Sequence, residues 1–171
     1  SDVCSSDLGV ALIAVDDRAE NHIVVAPGAN ARLEPADVPA DVLTGAVLCQ
    51  LEVPVATLEH VASVASGFLA MNLAPARELP AAVLARADLL VVNEGEAAFY
   101  GEALHASSGH VAITQGAAGA ALFRGGVELA RAVPPAITPV DTTGAGDAFT
   151  AALVVALLEG QSPVDALRFA C

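Results

Sequence analysis

Apolar residues fall along this chain in short unbroken blocks separated by longer mixed stretches. The blocks Ala46 to Leu51, Phe68 to Asn72, Asp88 to Val92 and His110 to Thr114 lack the polar alternation of a half-exposed strand, so they predict strands buried on both faces. Between them, Val55 to Ser66, Pro80 to Arg86 and Glu94 to Ser107 carry apolar residues at helical spacing. This β-then-α order predicts a parallel sheet covered on both faces, with right-handed crossovers. Ala120 to Arg124 and Val127 to Val133, joined at Gly125-Gly126, predict an antiparallel hairpin added to that sheet. Gly9 to Val15 and His22 to Ala26, linked through Asp16 to Asn21, predict a second hairpin, which Pro27-Gly28-Ala29-Asn30 breaks off. A late block, Ala151 to Leu158, closed by Glu159-Gly160, predicts a buried helix with a glycine stop. The last residues, Arg168-Phe169-Ala170-Cys171, keep a helical periodicity without a cap.

Composition narrows the function classes. The 171 residues are 55 % hydrophobic and 16 % charged, as in a globular domain with a real core. A net charge of -13 with only seven Lys and Arg argues against nucleic acid or an anionic membrane surface as a partner. Any phosphate would have to be held by backbone amides and metal ions. The apolar runs fall short of the roughly 20 residues a membrane span needs, so no membrane and a cytoplasmic location are expected. Cys4, Cys49 and Cys171 show neither metal-ligand spacing nor disulfide density, and Cys49 reads as a small core residue. The histidines, His22, His60, His105 and His110, form no ligand motif. Residues 1–8 are polar and unpatterned and read as a non-native stretch of the kind a translated sequencing adapter leaves, so the domain is taken as residues 9–171.

Nine residues near the end, Asp141 to Phe149 (DTTGAGDAF), join a turn of small residues to a carboxylate just ahead of the late helix. Small residues at 144–146 let backbone N–H groups approach an anion, and a helix start offers unpaired donors with a partial positive charge. A carboxylate beside such a hole repels the anion unless it has its own task, and general base for an attacking hydroxyl is one. On the residues alone a plainer reading stands beside this one: a tight glycine turn and a helix-start acid.

Ligands of open α/β sheets gather at the carboxyl ends of the strands, which makes the residues after each block informative. Glu52 follows the first, ahead of Val53-Pro54, either as a ligand or as an acid leading a helix. Asn93-Glu94-Gly95-Glu96 follows the third with capping-box spacing. Gln115-Gly116-Ala117-Ala118-Gly119 follows Thr114, a weak G-x-x-G signal. The GxxxxGK[ST] phosphate loop, the dinucleotide fingerprint and the G-x-S-x-G elbow are all absent from the sequence.

Together these residues resemble the ribokinase-like (PfkB-type) carbohydrate kinases, whose C-terminal signature is similar to DTTGAGDAF and whose Asn-x-x-Glu and Thr-x-Gly-x-x-Gly motifs are similar to the stretches at Asn93 and Thr114. The resemblance implies a three-layer α/β/α fold with a mostly parallel central sheet, the first hairpin belonging to a small lid over the sugar. It implies Asp147 as catalytic base in contact with the substrate, the amides of Gly144, Ala145 and Gly146 as the anion hole, and Glu52 on a sugar hydroxyl. It further implies nucleotide contacts from Asn93, Thr114, Gln115, Gly116, Ala117, Ala118, Gly119 and Gly146, Glu96 on the water shell of Mg²⁺, and Asp141 with Thr143 as ligands of K⁺.

Within the family, Gln50-Leu51-Glu52 and Pro27-Gly28-Ala29-Asn30 are similar to members acting on D-ribose rather than on fructose or adenosine. The implied reaction is transfer from ATP to the 5-hydroxyl of D-ribose, giving ribose 5-phosphate and ADP, by a protein that is a homodimer at full length. Leu73 stands where the family usually has proline, and a single helix fits between Asn93 and Thr114 where a longer insertion is usual. The family's opening Gly-Gly turn and Asp, and its later K⁺ ligands, have no counterpart, which implies a fragment. Two alternatives remain: another sugar or nucleoside kinase of this fold, or an isolated, catalytically incompetent nucleotide-binding module with an open sheet edge.

Overall fold

The computed structural model describes residues 9–15, 21–137 and 142–171; residues 1–8, the linking residues 16–20 and Asp141 lie outside the described residues. Strands β1 (Val10–Val15) and β2 (Asn21–Ala26) pair antiparallel as a two-stranded sheet of their own, the hairpin expected from their sequence. Short 3₁₀ turns then carry the chain to a six-stranded sheet. Its strands are β3 (Val47–Gln50), β4 (Leu69–Asn72), β5 (Leu89–Asn93), β6 (His110–Thr114), β7 (Ala120–Arg124) and β8 (Val127–Ala132), in sequence order across the sheet. The first four run parallel, and β7 and β8 return antiparallel, so the mostly parallel sheet and its appended hairpin both stand.

The helices are α1 (Val55–Val64), α2 (Ala81–Arg86), α3 (Glu94–Tyr100), α4 (Ala145–Leu158) and α5 (Pro163–Ala170). Parallel strands laid down one after another, with crossovers of one hand, must keep their connecting helices on one face. That face carries Leu58 and Val61 of α1, Val83 and Leu84 of α2 and Tyr100 of α3, packed on Met71, Leu90, Val92 and Val111. The opposite face is left for α4 and α5, whose Phe149, Leu153, Ala156 and Leu167 pack on Ala70, Leu89, Val91, Ala112 and Leu122. Neighbouring residues of β4 and β5 therefore go to different cores, which is why those blocks show no polar alternation. Each fully buried leucine, Leu90 or Leu153 for instance, contributes about 1.5–3 kcal/mol by leaving water.

One element differs from expectation. The helix expected over Glu94 to Ser107 is α-helical only to Tyr100; Gly101 caps it and the chain continues as a 3₁₀ turn, Gly101–Ala106. The Tyr100 hydroxyl donates to the Arg77 carbonyl at 2.6 Å, which ties the end of α3 to the loop after β4. Cys49 is partly buried against the first core, and burial pushes its thiol pKa up, as suits a packing residue.

Gly119 opens β7 at φ 92, and a Cβ there would run into the Ala132 carbonyl of β8. Gly119→Ala is therefore expected to cost at least about 2 kcal/mol, since both the backbone region and the space are closed to a side chain; urea unfolding of the two chains measures it.

His110 begins β6 opposite Arg124 on β7. Burial first, and the Arg124 charge second, lower its pKa from the model-compound 6.5. The folded imidazole resists protonation while the unfolded one takes a proton at about 6.5, so this contribution to stability is present above that pH and is lost as the pH falls below it. Urea midpoints should drop between pH 6.5 and 5.5, and His110→Gln should flatten the drop.

Candidate active site at the strand tips

The four parallel strands end in polar residues: Gln50, Asn72, Asn93 and Thr114. Parallel pairing sets Gln50 opposite Asn72 and Asn93 opposite Thr114, so these side chains share the carboxyl edge of the sheet. The start of α4 lies over that edge. Gly146 and Thr150 line a cavity of about 130 Å³ together with Asn72, Asn93, Glu96 and Thr114. On the β3 side, the Gln50 Nε2 amide donates to Asp147 Oδ1 at 2.8 Å. The acid of the glycine turn is thus bonded to a residue two positions before Glu52, which is exposed just beyond β3.

The helix start is built for an outside acceptor. Gly144 takes the N-cap position at φ 76, ψ 2, left-handed backbone that glycine accepts at no steric cost, and it offers no side-chain cap. The Ala145 amide turns back onto the Thr142 carbonyl at 3.1 Å, and the first helical bond runs from Ala148 to the Gly144 carbonyl at 2.9 Å. The amides of Gly146 and Asp147 come before that bond and face outward as donors. Of the three amides expected to form an anion hole, Ala145 is thus already engaged, while Gly146 lies on the cavity wall. A Cβ at Gly146 would meet no atom of the described residues outside its own helix turn within 4 Å, so no packing among them requires glycine there.

At the next tip, Asn93 caps α3. Its Oδ1 accepts from the Glu96 amide and the Glu96 carboxylate accepts from the Asn93 amide, both at 2.8 Å. The capping-box reading is realised, and the same pair lines the cavity. At the β6 tip, Gln115 bonds both sides of the loop. Its Oε1 accepts from Arg131 Nη1 at 2.6 Å and its Nε2 donates to Glu94 Oε1 at 3.3 Å. Gly116 to Ala118 form a single 3₁₀ turn closed by Gln115 N–H donating to the Gly119 carbonyl at 2.7 Å. Arg131 also pairs with Glu128 at 2.7 Å, which lowers the Glu128 pKa.

Behind Glu52, Arg77 Nη1 donates to the carbonyls of Leu51 at 2.9 Å and Val53 at 3.2 Å, one on each side of the acid. The backbone that presents Glu52 is thereby fixed from the neighbouring loop.

Two oxygen-rich side chains, Glu96 and Asn93, line the cavity beside Thr114, and no Lys or Arg among the described residues does. Such donors suit a hard, hydrated cation more than a bare anion. Among the described residues no cluster of three His, Cys, Asp or Glu could hold a metal by itself, so a cation there would need ligands from water or phosphate. Of the two residues expected to bind K⁺, Asp141 lies outside the described residues and Thr143 is exposed beside the Gly144 turn.

In the sequence, Asn72 stood only as part of a strand block, and Gln50 as part of one and of the Gln50-Leu51-Glu52 stretch, neither with a role of its own. The signal that would have singled them out is positional: each is the polar last residue of an apolar strand, like Asn93 and Thr114.

Comparison with known proteins agrees with this geometry. Residues 5–171 match the pfkB family carbohydrate kinase description, a match that begins inside the stretch set aside as non-native. The chain is 35 % identical to ribokinase of Bacillus subtilis over 98 % of its own length and 61 % of that protein's. Among solved structures, ribokinase from Thermotoga maritima superposes with TM-score 0.84 at 30 % identity, covering 97 % of this chain and 61 % of that one. Ribokinase of Arabidopsis thaliana, solved with ribose and ATP, gives TM-score 0.78 at 29 % identity over the same shares. The chain therefore spans about three-fifths of the length of these relatives. With matching family residues across nearly its whole length and the carboxylate of its glycine turn at the sheet's carboxyl edge, the chain belongs to the pfkB family of carbohydrate kinases.

Proposed function

We propose that the protein carrying this chain transfers the γ-phosphoryl group of ATP to the 5-hydroxyl of D-ribose, giving ribose 5-phosphate and ADP. One observation carries the reading: Asp147 lies at the mouth of α4, beside outward-facing amides, with its carboxylate held against the end of β3. A base and a charge-stabilising surface thus lie side by side, which supports a phosphoryl acceptor bound between them. The named relatives are ribokinases, one of them solved with ribose and ATP.

In this reaction the sugar oxygen bonds to the γ-phosphorus as the bond from that phosphorus to the bridging oxygen breaks, and ADP leaves with the bridging oxygen. Asp147 takes the hydroxyl proton. The Gly146 and Asp147 amides, with those around Gly144, face the charge spread over the transferring group, and Glu52 orients the sugar through a hydroxyl. Asn93, Thr114 and the loop Gln115 to Gly119 line the nucleotide side. The residues present fit a hydrated Mg²⁺ at Glu96, which would neutralise phosphate charge when bound; K⁺ near Asp141 and Thr143 belongs to the same reading. So do a cytoplasmic location and a homodimer.

A second reading has its own support. Strand β3 has no partner on its outer side among the described residues, Leu48 on it is 47 % exposed, and an apolar cavity of about 350 Å³ opens along it between Leu33, Val38, Leu43 and Leu58. Taken alone, the 171 residues are a nucleotide-binding module with an open core edge.

ADP release in the presence of ribose, fructose or adenosine tests the first reading, using protein expressed from its complete natural reading frame. Ribose should dominate; fructose or adenosine dominating would move the assignment within the fold. Asp147→Asn should lower kcat by about 10³-fold or more while ATP affinity stays within a few-fold; a near-normal rate would remove Asp147 as the base. Gly146→Ala should leave folding stability unchanged or raise it by up to about 1 kcal/mol, since alanine is the better helix residue. The same variant should lose at least tenfold in ADP affinity by calorimetry, because the added methyl occupies the space a phosphate needs. Unchanged affinity would place the phosphates elsewhere.

A further inference from the structure

Gln50, we propose, is the positioning residue of Asp147: it holds one carboxylate oxygen so that the other faces the acceptor hydroxyl, and it keeps the acid from closing the anion hole on itself. The inference rests on the phosphoryl-transfer reading above and extends it to a side chain outside the expected site.

The chain supplies its own comparison. Four of its helical turns carry an acid at the third position, where a carboxylate reaches back readily to the helix start. Asp37 accepts from the Glu34 amide at 2.9 Å, Glu96 from the Asn93 amide at 2.8 Å, and Asp165 from the Ser162 hydroxyl at 2.6 Å. Each of these closes its own N-terminus. Asp147 holds the same position in α4, after Gly144, Ala145 and Gly146, yet its Oδ1 accepts from Gln50, which is 97 residues away in sequence.

The consequence is chemical. An Asp147 carboxylate folded back on the Gly144 turn would occupy the amides that a phosphoryl oxygen must use, and would repel that oxygen. Turned outward, it leaves those donors free and adds no negative charge among them. The carboxylate accepts only, so the Gln50 side chain must present its NH₂ group and cannot be reversed without setting oxygen against oxygen.

Gln50 is suited to the task by its place. It is the last residue of β3, in register with Asn72, and is half-buried. Leu51, the next residue, is fully buried and has its carbonyl gripped by Arg77 at 2.9 Å. The donor is therefore mounted on rigid backbone, whereas Asp147 is exposed on the first turn of its helix. A shift of about 1 Å in a reacting group can cost about 10²-fold in rate, so one fixed donor on an exposed acid matters on that scale.

The test uses protein from the complete natural reading frame, with Gln50→Leu removing the donor and Gln50→Glu keeping the shape while replacing donor by acceptor. Gln50→Leu should lower kcat by about 10- to 100-fold with KM for ribose and ATP within about threefold, and Gln50→Glu should lower it further. In an Asp147→Asn background, Gln50→Leu should cost nothing more, because its effect passes only through Asp147; a structural defect would multiply instead. A severe Asp147→Asn defect with normal kcat in both Gln50 variants would overturn the positioning role and leave the function standing. A normal rate in Asp147→Asn would overturn the function itself. Independently of turnover, a urea double-mutant cycle on the same full-length protein with Gln50→Ala and Asp147→Ala should show the two sites coupled by about fivefold in the folding equilibrium; additivity would overturn the contact.

Discussion

The structure depends on a register constraint: β3 to β6 lie side by side in parallel, so their last residues must share an edge. Because those residues are Gln50, Asn72, Asn93 and Thr114, the edge is polar where the rest of the sheet is not. Sequential order also sends α1 to α3 to one face, which leaves the other face open for a helix arriving from far down the chain. Helix α4 takes that place, and its first turn comes to rest over the edge. The site is thus a by-product of how the sheet is wound, and contacts such as Gln50 to Asp147 and Asn93 to Glu96 then tie its parts together.

Small residues make the second face possible. Ala70, Ala112, Ala120, Ala130 and Ala132 line the sheet under α4 and α5, and an alanine surface lets a helix approach more closely than a leucine surface would. These alanines thereby let α4 lie close on the sheet whose strand tips its first turn overlooks. The acidity of the chain has a similar local meaning. With no Lys or Arg among the described residues on the cavity wall, a phosphate bound there would have to be met by amide dipoles and a cation, which is chemistry that a protein carrying a net charge of -13 can support.

Much of this was legible from residues. Unbroken apolar blocks placed β3 to β6 within a residue or so, and Gly125-Gly126 marked the return of β7 into β8. The glycine turn before α4 marked where the acid would lie. What could not be read was which groups meet across the fold. Gln50 and Asp147 are joined only because β3 is the edge strand nearest the α4 mouth, a fact of winding and not of local pattern. The Arg77 grip on Leu51 and Val53 was hidden for the same reason. The break in the expected helix at Tyr100 was missed because apolar spacing continues through the 3₁₀ turn that follows, so the period alone did not reveal the change of helix type.

Motif glycines look alike in a sequence and differ in what they are for. Gly119 belongs to a stretch similar to a nucleotide loop, yet its place is dictated by the β8 backbone that a side chain would strike. Gly146 has a helical neighbourhood open enough for a methyl group, so no contact among the described residues calls for glycine. A residue whose smallness serves no internal contact points outward, to something that comes close. At Gly146 the surrounding groups are outward-facing amides, a carboxylate turned aside by Gln50, and hard oxygen donors on the far wall. A tetrahedral anion accompanied by a cation satisfies all three, whereas a neutral ligand would leave the amides and the carboxylate without purpose. That convergence of charges around an unfilled glycine is what favours phosphoryl chemistry here, and it would do so on any backbone that placed them so.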